Sequence, residues 1–291
     1  MTFNCPQLKK QLFLLKAKEN TIAVELEELN LTNFKESKVS EVYAIFNDAL
    51  ELINEINEKL HFRELIKSEK QKLEAFFGMP IEVPKLPEEI TVKQAEKWKE
   101  QGFELHYLPE IEMSQDKDYP GWRERPKKWF YDCMLDGKIS ITSDELKSGW
   151  VLIDGRQKPS QKMQYENDIL AESLALLRQD GVIDDFEKKD SRFGIIAKEL
   201  EKIEVRETLA SVLKVQADKM TLPRAIDFNV LGNIHHQEWG TTTNYEWFSD
   251  IYDGGYRLYG GISVDGGLSH VNYYPESRRD NTMGFRPMVR F

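Results

Sequence analysis

Residues 245–291 read YEWFSDIYDGGYRLYGGISVDGGLSHVNYYPESRRDNTMGFRPMVRF. Glycine pairs stand at Gly254-Gly255, Gly260-Gly261 and Gly266-Gly267, each within or beside a short run of aromatic and β-branched residues. Glycine supplies the positive φ of tight turns, while Tyr, Val and Ile suit pleated strands. The stretch therefore predicts a compact antiparallel sheet with short connections. The upstream chain has a different texture and is expected to carry this sheet and present it.

From Leu8 to Leu29 the apolar residues Leu8, Leu12, Leu15, Ile22, Leu26 and Leu29 recur at spacings of three and four, with Lys and Glu between them. A second run, Val39, Val42, Phe46, Ala49, Ile53, Ile56 and Leu60, continues to Phe77 and stops at Gly78-Met79-Pro80. These two runs predict an N-terminal α-helical hairpin over residues 1–78. Its seam could pair with other chains into a homo-oligomer, although Glu19 and Arg63 interrupt it. Three prolines in MPIEVPKLPEEI mark 79–90 as a linker.

Beyond the linker, Thr91 precedes a short helix, VKQAEKWKEQG, ending at Gly102. A loop-rich aromatic segment follows, with Tyr119 to Trp122 and Trp129 to Tyr131 beside Arg123, Arg125, Lys127 and Lys128. Trp150 to Asp154 reads as a strand, and residues 167–180 and 197–214 as helices. Ser191 to Ile195 reads as a strand or its start. Strand, helix, helix and a β-rich tail together predict an α+β domain over 91–291 whose sheet comes largely from the C-terminal end.

The chain has 291 residues and a net charge of -10, which argues against a surface built to neutralise nucleic-acid phosphates. Aromatic and basic residues interleaved near Trp122 could stack single-stranded bases, but such aromatics more often cover a core. Cys5 and Cys133 are too few and too far apart for a disulfide framework or a cysteine zinc site. No run approaches the roughly 18 apolar residues of a membrane span, and the N-terminus lacks a signal peptide pattern. A cytoplasmic protein without a membrane span is expected.

Motifs for chemistry are weak. Gly261-Ile262-Ser263-Val264-Asp265 lacks the second glycine of a nucleophile elbow, and no phosphate-cradling loop is present. His235-His236 with Glu238 has ligand chemistry, but neighbouring histidines normally diverge, and surface histidines near a turn are expected. Asp250, Asp253 and Asp265 could bind calcium or simply form turns. Glu246 with Asp250 is a conceivable acid/base pair that no adjacent nucleophile supports. No catalytic residue, metal or cofactor is assigned.

What remains is a surface. Tyr256, Tyr259, Ile262, Val264, Asp265, Ser269, His270, Asn272, Tyr273, Tyr274 and Asn281 are interleaved with the glycines. Tyr offers rigid contact area at low entropic cost, and small polar groups offer adaptable hydrogen bonds, the mixture that recognition loops use. Some of these residues would point into the core if they alternate along a strand.

RLYGGISVDGGLSHV followed by GFRPMVRF resembles the end of the C-type-lectin-fold domains shared by formylglycine-generating enzymes and the variable proteins of diversity-generating retroelements. The similarity extends upstream through GWVLIDGRQKP, YENDILAESLALLRQDG, SRFGI and LPRAIDFNVLGN, covering roughly 87–291. It implies a C-type-lectin-like domain framed by Trp247, Arg257, Leu258, Gly260, Gly261, Gly266, Gly267, Leu268, Phe285, Arg286 and Pro287. The resemblance implies ligand-binding, diversified positions between them, at Tyr259, Ile262, Val264, Asp265, Ser269, His270, Asn272, Tyr273, Tyr274, Pro275 and Asn281.

Two departures narrow what the resemblance implies. No cysteine follows Cys133, so formylglycine chemistry is not expected, and the Glu-Pro-Asn and Trp-Asn-Asp motifs of calcium-dependent sugar binding are absent. A non-enzymatic recognition protein for a macromolecular ligand, most readily a protein, is therefore expected. An enzyme with altered chemistry and a phage or cell-surface adhesin stay open as alternatives.

Overall fold

The computed structural model describes residues 60–160 and 163–291. The first predicted helix and most of the second lie outside the described residues. Residues 64–291 form one compact unit. This unit begins inside the segment expected as a separate hairpin, because helix α1 (60–77) turns Glu69, Leu73, Phe76 and Phe77 inward at helical spacing. Phe76 and Phe77 pack against Tyr119, 6.3 and 5.0 Å away between ring centres. The proline-rich 79–90 segment also contributes, burying Ile81 and Ile90.

The architecture is mixed α+β, with six α-helices and two four-stranded sheets among the described residues. Helix α2 (Val92–Glu100) begins where expected, because the Thr91 hydroxyl accepts from the Gln94 N–H at 3.2 Å. Its Trp98 is buried and donates from Nε1 to the Leu213 carbonyl at 2.8 Å.

Strand β1 (Phe103–Leu108) and helix α3 (Lys128–Leu135) occupy the segment read as loop. Five of β1's six residues are buried, so the alternation that marks a half-exposed strand is missing. The aromatic residues near α3 turn inward: Phe130 and Tyr131 are buried, and Trp122 donates to Asn229 Oδ1 at 3.0 Å.

β2 (Gly149–Asp154) pairs antiparallel with β1 and with the last strand, β8 (Met288–Arg290). Helices α4 (Ala171–Gln179) and α5 (Ile203–Leu213) lie within the segments read as helices, each shorter than expected. The 191–195 segment is not a strand. It is irregular chain held by Arg178, whose guanidinium donates to the carbonyls of Ser191 and Phe193 at 2.9 and 3.1 Å.

The short β3 (Met220–Thr221) completes the first sheet in the order β1-β2-β8-β3. Helix α6 (Ala225–Ile234) is buried along nearly its whole length. β4 (Tyr245–Tyr252), β5 (Tyr256–Gly260), β6 (Val271–Pro275) and β7 (Met283–Phe285) form the second sheet, ordered β6-β5-β4-β7, with β4 and β7 parallel. The predicted C-terminal sheet is thus present. The final strand leaves it, however, and binds the domain's earlier strands through β2.

Candidate functional site

Beneath the second sheet lies a buried charge network. Glu246 of β4 accepts from the Arg286 guanidinium at 2.8 and 3.1 Å, and both side chains are at most 1 % exposed. Arg286 also donates to the Asp154 carbonyl and, at 2.9 Å, to the Arg156 carbonyl, while its guanidinium lies 3.9 Å above the Trp239 ring. Arg192 bridges Asp154 at 2.7 Å and Asp168 at 2.5 and 2.6 Å. Burial pushes the Asp154 carboxyl up, but Arg192, Arg156 and Arg286 more than offset this and hold it at about 2. The network joins β2, β4 and the chain after β7, so it sets the sheet's position.

The loop between β5 and β6 is fixed from below. Lys158 is fully buried and donates to the Gly261 carbonyl at 2.8 Å; burial brings its ammonium down to about 8, against the pull of Glu246. Asn229 of α6 donates to the Leu268 carbonyl at 2.9 Å, and Glu124 accepts from the Leu268 N–H at 2.7 Å. The Leu268 side chain lies against Gly232 and Gly240.

Above this frame, Tyr245, Tyr259 and Tyr274 form one half-buried group. Tyr245 and Tyr259 meet edge to face at 5.0 Å, and Tyr259 and Tyr274 at 6.2 Å. Burial pushes the Tyr259 phenol up to about 12, with Tyr245, Asp265 and Asp280 adding to the effect. Tyr273 faces the other way. It stacks on Tyr252 at 4.4 Å and on Trp129 at 5.9 Å. Adjacent strand residues point to opposite faces, so Tyr273 and Tyr274 belong to separate aromatic groups.

The sequence-predicted residues divide accordingly. Val264, Asp265, Asn272, Tyr273 and Asn281 are exposed, and Tyr259, Ser269, Tyr274 and Pro275 are half-buried. Ile262 and His270 are buried. Burial lowers the His270 imidazole to about 4, although Asp265, 3.7 Å away, opposes this. Neither Ile262 nor His270 reaches solvent in this arrangement. Tyr245 and Trp129, which were not among the expected ligand-binding positions, join the two aromatic groups.

The groups considered for chemistry are engaged elsewhere. Asp250 accepts from the Ala225 N–H at 2.7 Å, satisfying a free donor at the start of α6. Asp253 pairs with Lys138 at 3.4 Å. His235 and His236 are not surface residues: their side chains are 2 % and 8 % exposed, because they close the buried end of α6. Among the described residues, metal-ligating atoms converge around His106 of β1 and not around Asp250, Asp253 and Asp265.

Asp250 carries a pH prediction. Burial raises its carboxyl to about 6 from 3.8, with the Ala225 N–H and Arg224 opposing and Asp227 assisting. A raised folded-state value means a contribution fully present below pH 3.8 and lost as pH rises through about 6. At roughly 1.4 kcal/mol per pH unit the loss is on the order of 3 kcal/mol. Asp250→Asn keeps an acceptor for Ala225 and removes the titration. Denaturant unfolding from pH 4 to 7 should show the variant gaining on the parent as pH rises; parallel curves would refute the assignment.

No family model matches the chain, and comparison with curated proteins and solved structures gave no match.

Proposed function

We propose that this chain is a recognition protein with a C-type-lectin-like domain, whose second sheet and β5–β6 loop present a ligand-binding face. The observation that carries this reading is the contrast between frame and surface. A buried Glu246–Arg286 pair and a buried lysine fix the sheet and loop, while Tyr259, Tyr274, Asp265, Asn272 and Asn281 stand half or fully exposed above them.

Rigid tyrosines beside small polar groups lose little entropy on binding a macromolecule, and a protein ligand fits that chemistry. The resemblance of the RLYGG and GFRP segments to retroelement variable proteins agrees with this division. In this reading the variable positions of the face are Val264, Asp265, Asn272 and Asn281 together with the half-exposed Tyr259, Ser269, Tyr274 and Pro275, while Tyr273 lies with Tyr252 and Trp129 on the other side.

Display libraries test it. Randomising Val264, Asp265, Asn272 and Asn281 together should leave most members folded, as reported by protease resistance, and selection against a protein target should yield binders. Randomising Trp247, Leu258, Phe285 and Arg286 should leave almost none folded. A surface library as poorly folded as the frame library would sink the proposal. Diversification itself predicts a reverse transcriptase nearby and a near-repeat of the gene's 3′ end differing at template adenines; a locus without that repeat would leave only a binding fold.

A further inference from the structure

His106 of β1 meets His235 and His236, which follow α6 in sequence, in a cluster whose three side chains are 3 %, 2 % and 8 % exposed. In all three rings Nε2 is buried without a hydrogen-bond partner. Buried polar atoms are nearly always satisfied, so three orphaned nitrogens in one place require an explanation.

The opposite nitrogens of two of the rings are held by carboxylates. Glu69 Oε1 lies 3.2 Å from His106 Nδ1, and Glu238 Oε1 lies 3.2 Å from His236 Nδ1. Each pair fixes the tautomer and aims Nε2 away from the carboxylate, as the outer partners of metal-binding histidines do. His236 is further set by stacking on Trp239 at 4.5 Å with a 9° tilt.

Both Nε2 atoms face one further carboxylate. Glu104 Oε2 is 3.4 Å from His106 Nε2 and 3.6 Å from His236 Nε2. Ligand atoms of the three residues all lie within 4.8 Å of one another. Metal bonds of about 2.0–2.1 Å in a tetrahedron separate neighbouring ligand atoms by roughly 3.3 Å, close to the two Glu104 edges. The 3.4 and 3.6 Å separations are long for hydrogen bonds to a carboxylate and match the edge of a tetrahedral site. Gly155 keeps the neighbourhood open: a Cβ there would stand 2.9 Å from Glu104 Oε1 and 3.1 Å from His236 Cε1.

We propose that Glu104, His106 and His236 bind a divalent transition-metal ion, with Zn²⁺ the best match, and that Glu69 and Glu238 orient the two imidazoles. Two imidazoles and a carboxylate are donors suited to Zn²⁺ and its neighbours rather than to Ca²⁺ or Mg²⁺. Three protein ligands leave a coordination position for water or a donor atom of a bound molecule. Glu104 is 45 % exposed, so an ion can enter from its side. His235 stacks on His106 at 3.8 Å and places Nε2 3.5 Å from Glu69 Oε2, backing the first ring.

The test titrates the full-length chain, stripped with chelator, with Co²⁺ as a spectroscopic stand-in and then with Zn²⁺. One Co²⁺ per chain should bind with visible absorption of nitrogen and oxygen ligation, and Zn²⁺ should displace it. Glu104→Gln, at a half-exposed side chain, should keep the metal-free melting temperature within a few degrees and weaken binding at least tenfold. Glu69→Gln should weaken it about 10–100-fold, and His236→Gln should abolish it. Absence of saturable binding by the parent would overturn the proposal. So would parental affinity in both Glu104→Gln and His236→Gln, which would place the ion elsewhere.

Discussion

Arg286→Met should destabilise the domain by about 3–5 kcal/mol, the cost of breaking a buried ion pair from one side. The guanidinium makes two bonds to Glu246 and two to the carbonyls of Asp154 and Arg156, all in the interior. Met fills much of its volume and still covers the Trp239 ring, so lost packing is the smaller loss. The larger one is electrostatic: Glu246 stays buried beside Asp154, its main counter-charge gone, and two carbonyls lose their donor. Glu246→Gln combined with Arg286→Met removes both charges and should be milder than Arg286→Met alone, a non-additivity that a double-mutant cycle reads directly. Chemical denaturation measures both variants. A loss below about 1 kcal/mol for Arg286→Met, or strict additivity in the cycle, would show that the pair does not hold the sheet.

The sequence reveals this frame only partly. Thr91, Trp98 and Gly102 mark α2 because capping and termination are local chemistry, and Trp150 to Asp154 reads as a strand because its apolar run is short and closed by Gly155. β1 and α6 escape the same reading for one physical reason: both are buried on nearly every side, so neither carries the polar face whose period identifies a strand or an amphipathic helix. Arg286 is recognisable as a frame residue from the GFRP resemblance, but Asp154, Arg192 and Lys158 join it from 94 or more positions away, and no local pattern announces that. The tyrosines illustrate a subtler limit. Composition picks Tyr273 and Tyr274 together as a surface, whereas the pleat sends one toward Trp129 and the other toward Tyr259. The histidine cluster left one trace, the His235-His236-Glu238 run; its other members, on α1 and β1, lie more than a hundred residues earlier.

Gly260→Ala should be as damaging as the loss of Arg286, for a reason that glycine's usual role in turns does not supply. Of the three glycine pairs, Gly254, Gly255, Gly261, Gly266 and Gly267 all have positive φ, whereas Gly260 does not. Gly260 is required by proximity. It lies in β5 opposite Val271 of β6 and Glu246 of β4, and a Cβ there would stand 2.0 Å from the His270 carbonyl oxygen and 2.8 Å from Phe248 Cε2. The obstacle is backbone rather than a movable side-chain tip, so β6 would have to move away from β5. That movement breaks the Gly261 N–H contact to the same carbonyl, 3.3 Å, and displaces Asn272 from its place opposite Tyr259. Overpacking of a rigid site costs typically 1–3 kcal/mol and occasionally more, and with ladder bonds lost as well a cost of about 3 kcal/mol or above is expected. Gly255→Ala is the control: its φ is +84° and a Cβ there meets nothing within 4 Å. Only the left-handed backbone is then penalised, about 1–2 kcal/mol. Thermal unfolding of the two variants should therefore rank Gly260→Ala well below Gly255→Ala. Binding selected on the tyrosine face should fail in the first and survive in the second, because only the first moves the strand that carries Asn272 and Tyr274. The reverse order would mean that turn conformation, not the closeness of β5 to β6, is what the glycines of this sheet provide.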